Sequence, residues 1–181
     1  MYCIDVLLEE HDRITDFIVA ARNACCNIID GNNVDLEDLK KMLEFGKNYA
    51  DNLHHKKEED ILFDAMVNEV GGPAQKMIQN GMFVEHNLGR LYLSELEKAI
   101  DNFTHSTKIK LQIITNLSAY CDLLERHIVK ENGVAYPFGQ RTLSNQTLER
   151  LNRETKQFEN DTKNDREYYL NVLNELKQKY C

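Results

Sequence analysis

Little in this sequence would break a helix. Two prolines and eight glycines are all that 181 residues contain, and most of them stand together as punctuation, Gly31 before Asn32 and Asn33, and Gly71-Gly72-Pro73. No useful length of strand-period alternation and no internal repeat interrupts the pattern, which excludes a β or repeat architecture. No stretch approaches about 18 consecutive apolar residues, the length a membrane span needs. The start, Met1-Tyr2-Cys3-Ile4-Asp5, lacks a basic region followed by an apolar core, so the expectation is a soluble, cytoplasmic protein. Basic runs are also missing and the formal net charge is −8, which argues against nucleic acid or an anionic membrane as the main partner. The five cysteines, Cys3, Cys25, Cys26, Cys121 and Cys181, are odd in number and show no Cys-x-x-Cys spacing. A disulfide framework and a zinc ribbon are therefore not suggested. Cys25 and Cys121 fall in apolar stripes and read as core residues, whereas Cys26 and Cys181 read as exposed.

What is present is helical periodicity. Hydrophobic residues make up 42% of the chain, enough for the core of one domain. The first helix is expected over about Ile4 to Asp30, stopped by Gly31. Asp35 caps a second, reaching about Val70. Pro73 suits the first turn of a third, which reaches about Phe103. After the turn Thr104-His105-Ser106-Thr107, a fourth helix weakens at Asn132-Gly133 and is ended by Pro137. These four give an all-α, up-down-up-down bundle over residues 1–143. Residues 144–181 are expected as a C-terminal helical extension, with Leu148, Leu151, Phe158, Tyr169, Val172 and Leu176 near one face, interrupted by Thr162 and Asp165. It reads as a fifth helix packed on the bundle, with a homodimer through this helix as the alternative.

The histidines then become informative. Composition alone predicts roughly 0.6 occurrences of His followed four residues later by Glu. Three occur: His54 with Glu58, His55 with Glu59, and His127 with Glu131. Residues four apart share a helix face, where an imidazole and a carboxylate can grip one ion together. Position separates this from a plain surface pair. His11 lies in the stripe Leu7, His11, Ile14, Ile18, and His86 in the stripe Met82, His86, Gly89, Leu93. His127 and Glu131 end the seam Ile113, Leu117, Tyr120, Leu124. On helix two the face Gly46, Ala50, His54, Glu58, Ile61 is the more apolar, so His54 and Glu58 are expected inward, with His55 and Glu59 flanking.

In such a bundle, residues equally far from a shared turn lie side by side. His11 and His54 are each about 21 residues from the Asn32-Asn33 turn. The offsets of His54 from His86, and of His86 from His127, amount to about 3–5 Å at 1.5 Å rise per residue. Four histidines on four helices therefore meet within about one turn. A buried unpaired carboxylate costs several kcal/mol, so Glu131, which ends an apolar seam, needs a cation or must reach water at the bundle end. Imidazole plus carboxylate without thiolate suits iron, manganese or zinc. Four His and two Glu exceed what one closed structural zinc requires and favour two ions.

These residues resemble the hemerythrin-like family in its His-His-Glu cation-binding branch. The similarity rests on Glu9-Glu10-His11-Asp12, on His54-His55-Lys56-Lys57-Glu58-Glu59 followed by Ile61-Leu62-Phe63, on Gly72-Pro73, on Glu85-His86 with Gly89-Arg90, and on His127 to Asn132. It spans roughly residues 5 to 145. The resemblance implies two non-haem iron ions with bridging carboxylates and an open position for dioxygen, nitric oxide or peroxide. The metal ligands it implies are His11, His54, Glu58, His86, His127 and Glu131. The chain departs from the oxygen-carrying hemerythrins at Arg90, where they have a second histidine on helix three, and at Glu131, where they have an aspartate one residue later. One imidazole fewer implies a more open site, with solvent, His55, Glu85 or Tyr120 to fill it. The functional expectation is a protein that binds or senses a small oxidant, O2 or NO. An enzyme that reduces peroxide or nitric oxide or protects iron–sulfur clusters is the alternative, with Tyr120 as its proton donor. A non-redox divalent-metal module is the third reading.

Overall fold

The computed structural model describes residues 1–181, and six helices with no strand account for nearly all of them. Helix α1 is Tyr2–Ile29, and Gly31 at φ +86° turns the chain out of it. Helix α2 covers residues 36–70. Its N-terminus is held by Asp35, whose carboxylate accepts from the backbone N–H groups of Glu37 and Asp38, satisfying donors that a helix start leaves orphaned. Helix α3 covers residues 72–101 and α4 residues 107–142, capped by the Ser106 hydroxyl. The α2–α3 connection is a single residue, Gly71, at φ +75°, a conformation a side chain would oppose. These four helices form the up-down-up-down bundle.

Helix α4 runs on where Pro137 was expected to end it. Over Glu131–Ala135 the backbone widens to π-helical bonding, with Tyr136 N–H donating to Glu131 C=O. Pro137 then falls in the first turn of the resumed α-helix Tyr136–Thr142. There the missing N–H costs nothing and the ring escapes the carbonyl it would otherwise strike. The tail also differs from the expected single helix. Thr162 separates α5 (Asn145–Asp161) from α6 (Lys163–Tyr180), and Ser144 caps α5.

The apolar core is divided in two. One cluster takes Ile14 to Ile28 of α1, Leu39 to Leu53 of α2, Leu93 to Ile100 of α3, Ile113 to Ile128 of α4, and Val172, Leu173 and Leu176 of α6. The other, at the opposite end, takes Leu7, Leu62, Phe63, Met66, Ile78 and Met82 with Tyr136, Leu143 and Leu151. Each fully buried Leu, Ile or Phe stabilises the fold by about 1.5–3 kcal/mol. Residues from α5 and α6 thus sit in the same clusters as the bundle. Cys3, Cys25 and Cys121 are buried as small apolar residues, and Cys26 and Cys181 are exposed. No helix is long and apolar enough to cross a membrane.

Candidate metal centre

Between the two apolar clusters lies a buried polar layer. His11 of α1, His54, His55 and Glu58 of α2, His86 of α3, and His127 and Glu131 of α4 are all nearly inaccessible to solvent, Glu58 and Glu131 completely so. Their donor atoms form two groups, each gathered within 4.8 Å: His11, His54, Glu58 and Glu131 in one, and His55, Glu58, His86 and His127 in the other. Glu58 belongs to both. Its Oε2 lies 3.6 Å from His54 Nε2 and 3.5 Å from His86 Nε2. Glu131 spans them as well, with Oε2 at 3.2 Å from His11 Nε2 and Oε1 at 3.0 Å from His127 Nε2.

The structure brings together all six residues that spacing had singled out, and adds His55. That side chain was expected to flank the site, yet it is buried, with its ring stacked on His86 at 3.9 Å between centroids. The reason lies in α2, which is π-helical over Phe45–His55 and again over Glu58–Phe63. An i→i+5 turn holds more residues than 3.6, so an α-helical wheel misplaces the face, and neighbours His54 and His55 both turn inward. Five imidazoles therefore converge: His55, named among the side chains that could fill the place of the missing imidazole, lies with the other four. Glu59 does flank, half-exposed. Tyr120 packs against Phe17 and Gly89 in the larger apolar cluster, with its hydroxyl 3.5 Å from Gly46 O. His105 lies in the exposed α3–α4 turn.

Every imidazole has the same orientation. Nδ1 faces an outer oxygen: His11 faces Asn132 Oδ1 at 2.7 Å, His54 Glu10 at 3.0 Å, His55 Asp51 at 3.2 Å, His86 Glu59 at 2.6 Å, and His127 Glu85 at 2.8 Å. Nδ1–H donation to these acceptors leaves Nε2 as the lone-pair nitrogen, directed into the layer. Imidazoles that ligate metals are held this way, which fixes their tautomer and raises their basicity. The outer acids are in turn held by cations. Arg90 donates to both Asp51 and Glu59, Lys130 to Glu85, and Lys57 to Glu10. Arg90, one helical turn after His86, thus locks the partners of His55 and His86.

Without a cation the layer is electrostatically poor. His86 Nε2 and His127 Nε2 stand 2.9 Å apart, so two lone pairs would face each other unless a proton or a metal lies between. His54 Nε2, Glu58 Oε2 and both Glu131 oxygens have no hydrogen-bond partner although imidazole nitrogens are close. Donors bound to one ion at about 2.0–2.2 Å would stand about 3 Å apart, similar to the spacings found. Burial drives the His54 imidazole well below its usual range, and burial together with His86 pushes His55 to about 3. Burial opposes the charge of His127 too, but Glu131 and Glu85 outweigh it and raise the group to about 9. Burial and the nearby Glu131 charge lift Glu58 well above the carboxylate range. Protons thus collect on His127 and Glu58, where a metal would displace them. The residues fit a pair of cations held by nitrogen and oxygen.

Tyr136 escaped the sequence reading because it lies past Asn132-Gly133, in the stretch where helix four was expected to weaken. Its hydroxyl donates to Glu58 Oε1 at 2.5 Å and stands 3.3 Å from His11 Nε2. The outer acceptors Glu10, Glu59, Glu85 and Asn132 each adjoin an inward residue in sequence; Glu59 had been expected to flank the site and Glu85 to fill it, and what escaped the sequence reading is that all four back an imidazole Nδ1. Asp51 sits one helical turn before His55.

The two groups are unequal, one having two imidazoles and the tyrosine hydroxyl, the other three imidazoles. No curated protein and no solved structure matches the chain significantly. The family model for the hemerythrin HHE cation binding domain matches residues 3–139. That span includes every residue of the buried layer and well over half of the chain, which therefore belongs to the hemerythrin HHE cation-binding family.

Proposed function

We propose that this cation-binding domain holds two non-haem iron ions and binds or senses a small oxidant, O2 or NO, at one of them. His11 and His54 would serve one ion, and His55, His86 and His127 the other, with Glu58 and Glu131 shared between them. The observation that carries the reading is the common orientation of the five imidazoles, Nδ1 outward on an acceptor and Nε2 inward, around two fully buried carboxylates with unpartnered oxygens. Bound iron would supply reversible electron transfer to the small molecule. The ion with two imidazoles has fewer protein donors, so the open position belongs there, beside the Tyr136 hydroxyl. Burial and the Glu58 charge hold that hydroxyl's pKa well above the usual tyrosine range, so it is fitted to donate a hydrogen bond and keep its proton.

A diiron enzyme that reduces peroxide or nitric oxide, or protects iron–sulfur clusters, is the second reading. The same hydroxyl supports it as a proton source in the place first assigned to Tyr120. Manganese or zinc in a non-redox module is the third. We read the location as cytoplasmic from five unpaired cysteines, and residues 144–181 as an extension docked on the bundle of residues 1–143. Leu151, Val172, Leu173 and Leu176 are buried within the chain, which favours a site complete in one copy over a dimer through the tail.

Metal analysis of protein purified without added metal, with absorption spectra before and after air, tests the proposal. About two irons with oxo-bridge bands are expected. One zinc and a featureless spectrum would overturn it. Turnover with peroxide and a reductant would favour the enzyme over the binder.

A further inference from the structure

Two residues of the tail reach the outer support of the centre. Lys57, 1% exposed, donates to Glu10 and, at 2.6 Å, to Glu159 Oε1 of α5. Arg166 of α6 pairs with the other oxygen of Glu159, and the Phe158 ring lies beneath the Lys57 ammonium at 5.5 Å. Glu10, itself buried, turns its second oxygen to His54 Nδ1. An unbroken line of charged contacts therefore runs Arg166, Glu159, Lys57, Glu10, His54. Its last two members on the tail side lie past residue 139, where the family match ends.

The other outer contacts do not depend on the tail. Asp51 and Glu59 are locked by Arg90, and Glu85 by Lys130, all on α2, α3 and α4. Asn132, behind His11, is on α4. Only the His54 branch uses α5 and α6.

We propose that Glu159 and Arg166 are positioning residues for the two-imidazole half of the centre, so that docking of the tail sets how tightly that half holds its ion. The inference rests on the two-ion reading above. The physical cause is the buried ammonium. Lys57 shares its protons between two carboxylates, and if Glu159 loses its charge, Lys57 leans wholly on Glu10. Glu10 is then drawn toward the ammonium and holds the His54 ring less firmly, whereas the three-imidazole half has no member in the line. Exchange of an outer partner of a metal-bound imidazole usually lowers affinity about 10–100-fold.

The test is anaerobic titration of the full-length metal-free protein with ferrous iron, alongside thermal unfolding of the same metal-free samples. Wild type is expected to take two ions. Glu159→Gln, close in shape, should keep one ion at wild-type affinity and weaken the other about tenfold. Arg166→Gln leaves the buried carboxylate and ammonium in place. It should show the same one-sided pattern at about threefold, and it reads the link if Glu159→Gln does not fold. Glu167→Gln, an exposed tail residue, should bind as wild type. Equal weakening of both ions, or unchanged binding with lowered unfolding temperature, would overturn the proposal and leave the line as a fastening for the tail. Uptake of fewer than two ions by wild type would instead overturn the two-ion reading, and the inference with it.

Discussion

The two halves of the buried layer are built from the same residue types but supported differently. In the three-imidazole half, His55, His86 and His127 each lean on a carboxylate, and those carboxylates are held near the surface by Arg90 and Lys130. In the two-imidazole half, His54 leans on the buried Glu10, while His11 leans on the amide of Asn132 and has the Tyr136 hydroxyl beside its other nitrogen. Carboxylate backing makes an imidazole a stronger donor. The first half is therefore suited to hold an ion, and the second to hold one while leaving room for an incoming molecule. Asymmetry between two sites with a shared carboxylate is what a binding or sensing role requires, because only one ion needs to be open.

The largest expected disruption comes from the residue that belongs to both halves. Glu58→Ala should abolish tight binding of both ions by metal analysis. In the metal-free protein Glu58 is held protonated by burial and accepts from Tyr136, so the metal-free variant loses that bond and should unfold somewhat more easily than metal-free wild type. Loss of only one ion would show that Glu58 is not shared. Next, His55→Ala should lower affinity at the three-imidazole half by tenfold or more and leave the other ion in place, with His105→Ala unchanged as the control. A wild-type titration for His55→Ala would restore it to the flanking role that an α-helical wheel assigns.

Arg90→Met is expected to act on that same half more weakly, about three- to tenfold, since it touches the outer acids and not the imidazoles. Equal loss at both halves would argue against the division. pH sharpens the comparison further. In the metal-free protein His127 holds a proton up to about pH 9, and binding must expel it. Affinity for the ion at the three-imidazole half should therefore rise with pH, by up to about tenfold per unit between pH 6 and 8. Protonation of Glu58, favoured by burial, adds in the same direction. His54 and His55 are already neutral there and add nothing. A flat profile in competition titrations would contradict the proton assignment. The smallest effect is expected for Tyr136→Phe, which should retain both ions and change affinity for nitric oxide or azide by about two- to tenfold, read from absorption spectra.

Helix periodicity and turn residues made the bundle legible. Gly31, Asp35, Gly71 and Ser106 mark the boundaries that the structure has, because turn chemistry is local. The layer was legible where it obeyed α-helical spacing, as at His11, His86, His127 and Glu131. It was not legible where backbone hydrogen bonding departs from that spacing. His55 turns inward because α2 is π-helical there, and Tyr136 follows directly on the π-helical turn Glu131–Ala135 that keeps α4 going through Asn132-Gly133. Glu159 and Arg166 were out of reach for another reason. Their link to His54 passes through a buried lysine and joins residues about a hundred positions apart, which no local pattern reports.

The most direct test of the central claim is a crystal structure of the iron-loaded protein with anomalous scattering at the iron edge. Two peaks are expected about 3.5–4 Å apart, one touching His11 Nε2 and His54 Nε2, the other His55, His86 and His127, with Glu58 and Glu131 reaching both. A single peak, or two peaks with equal numbers of imidazoles, would contradict the account.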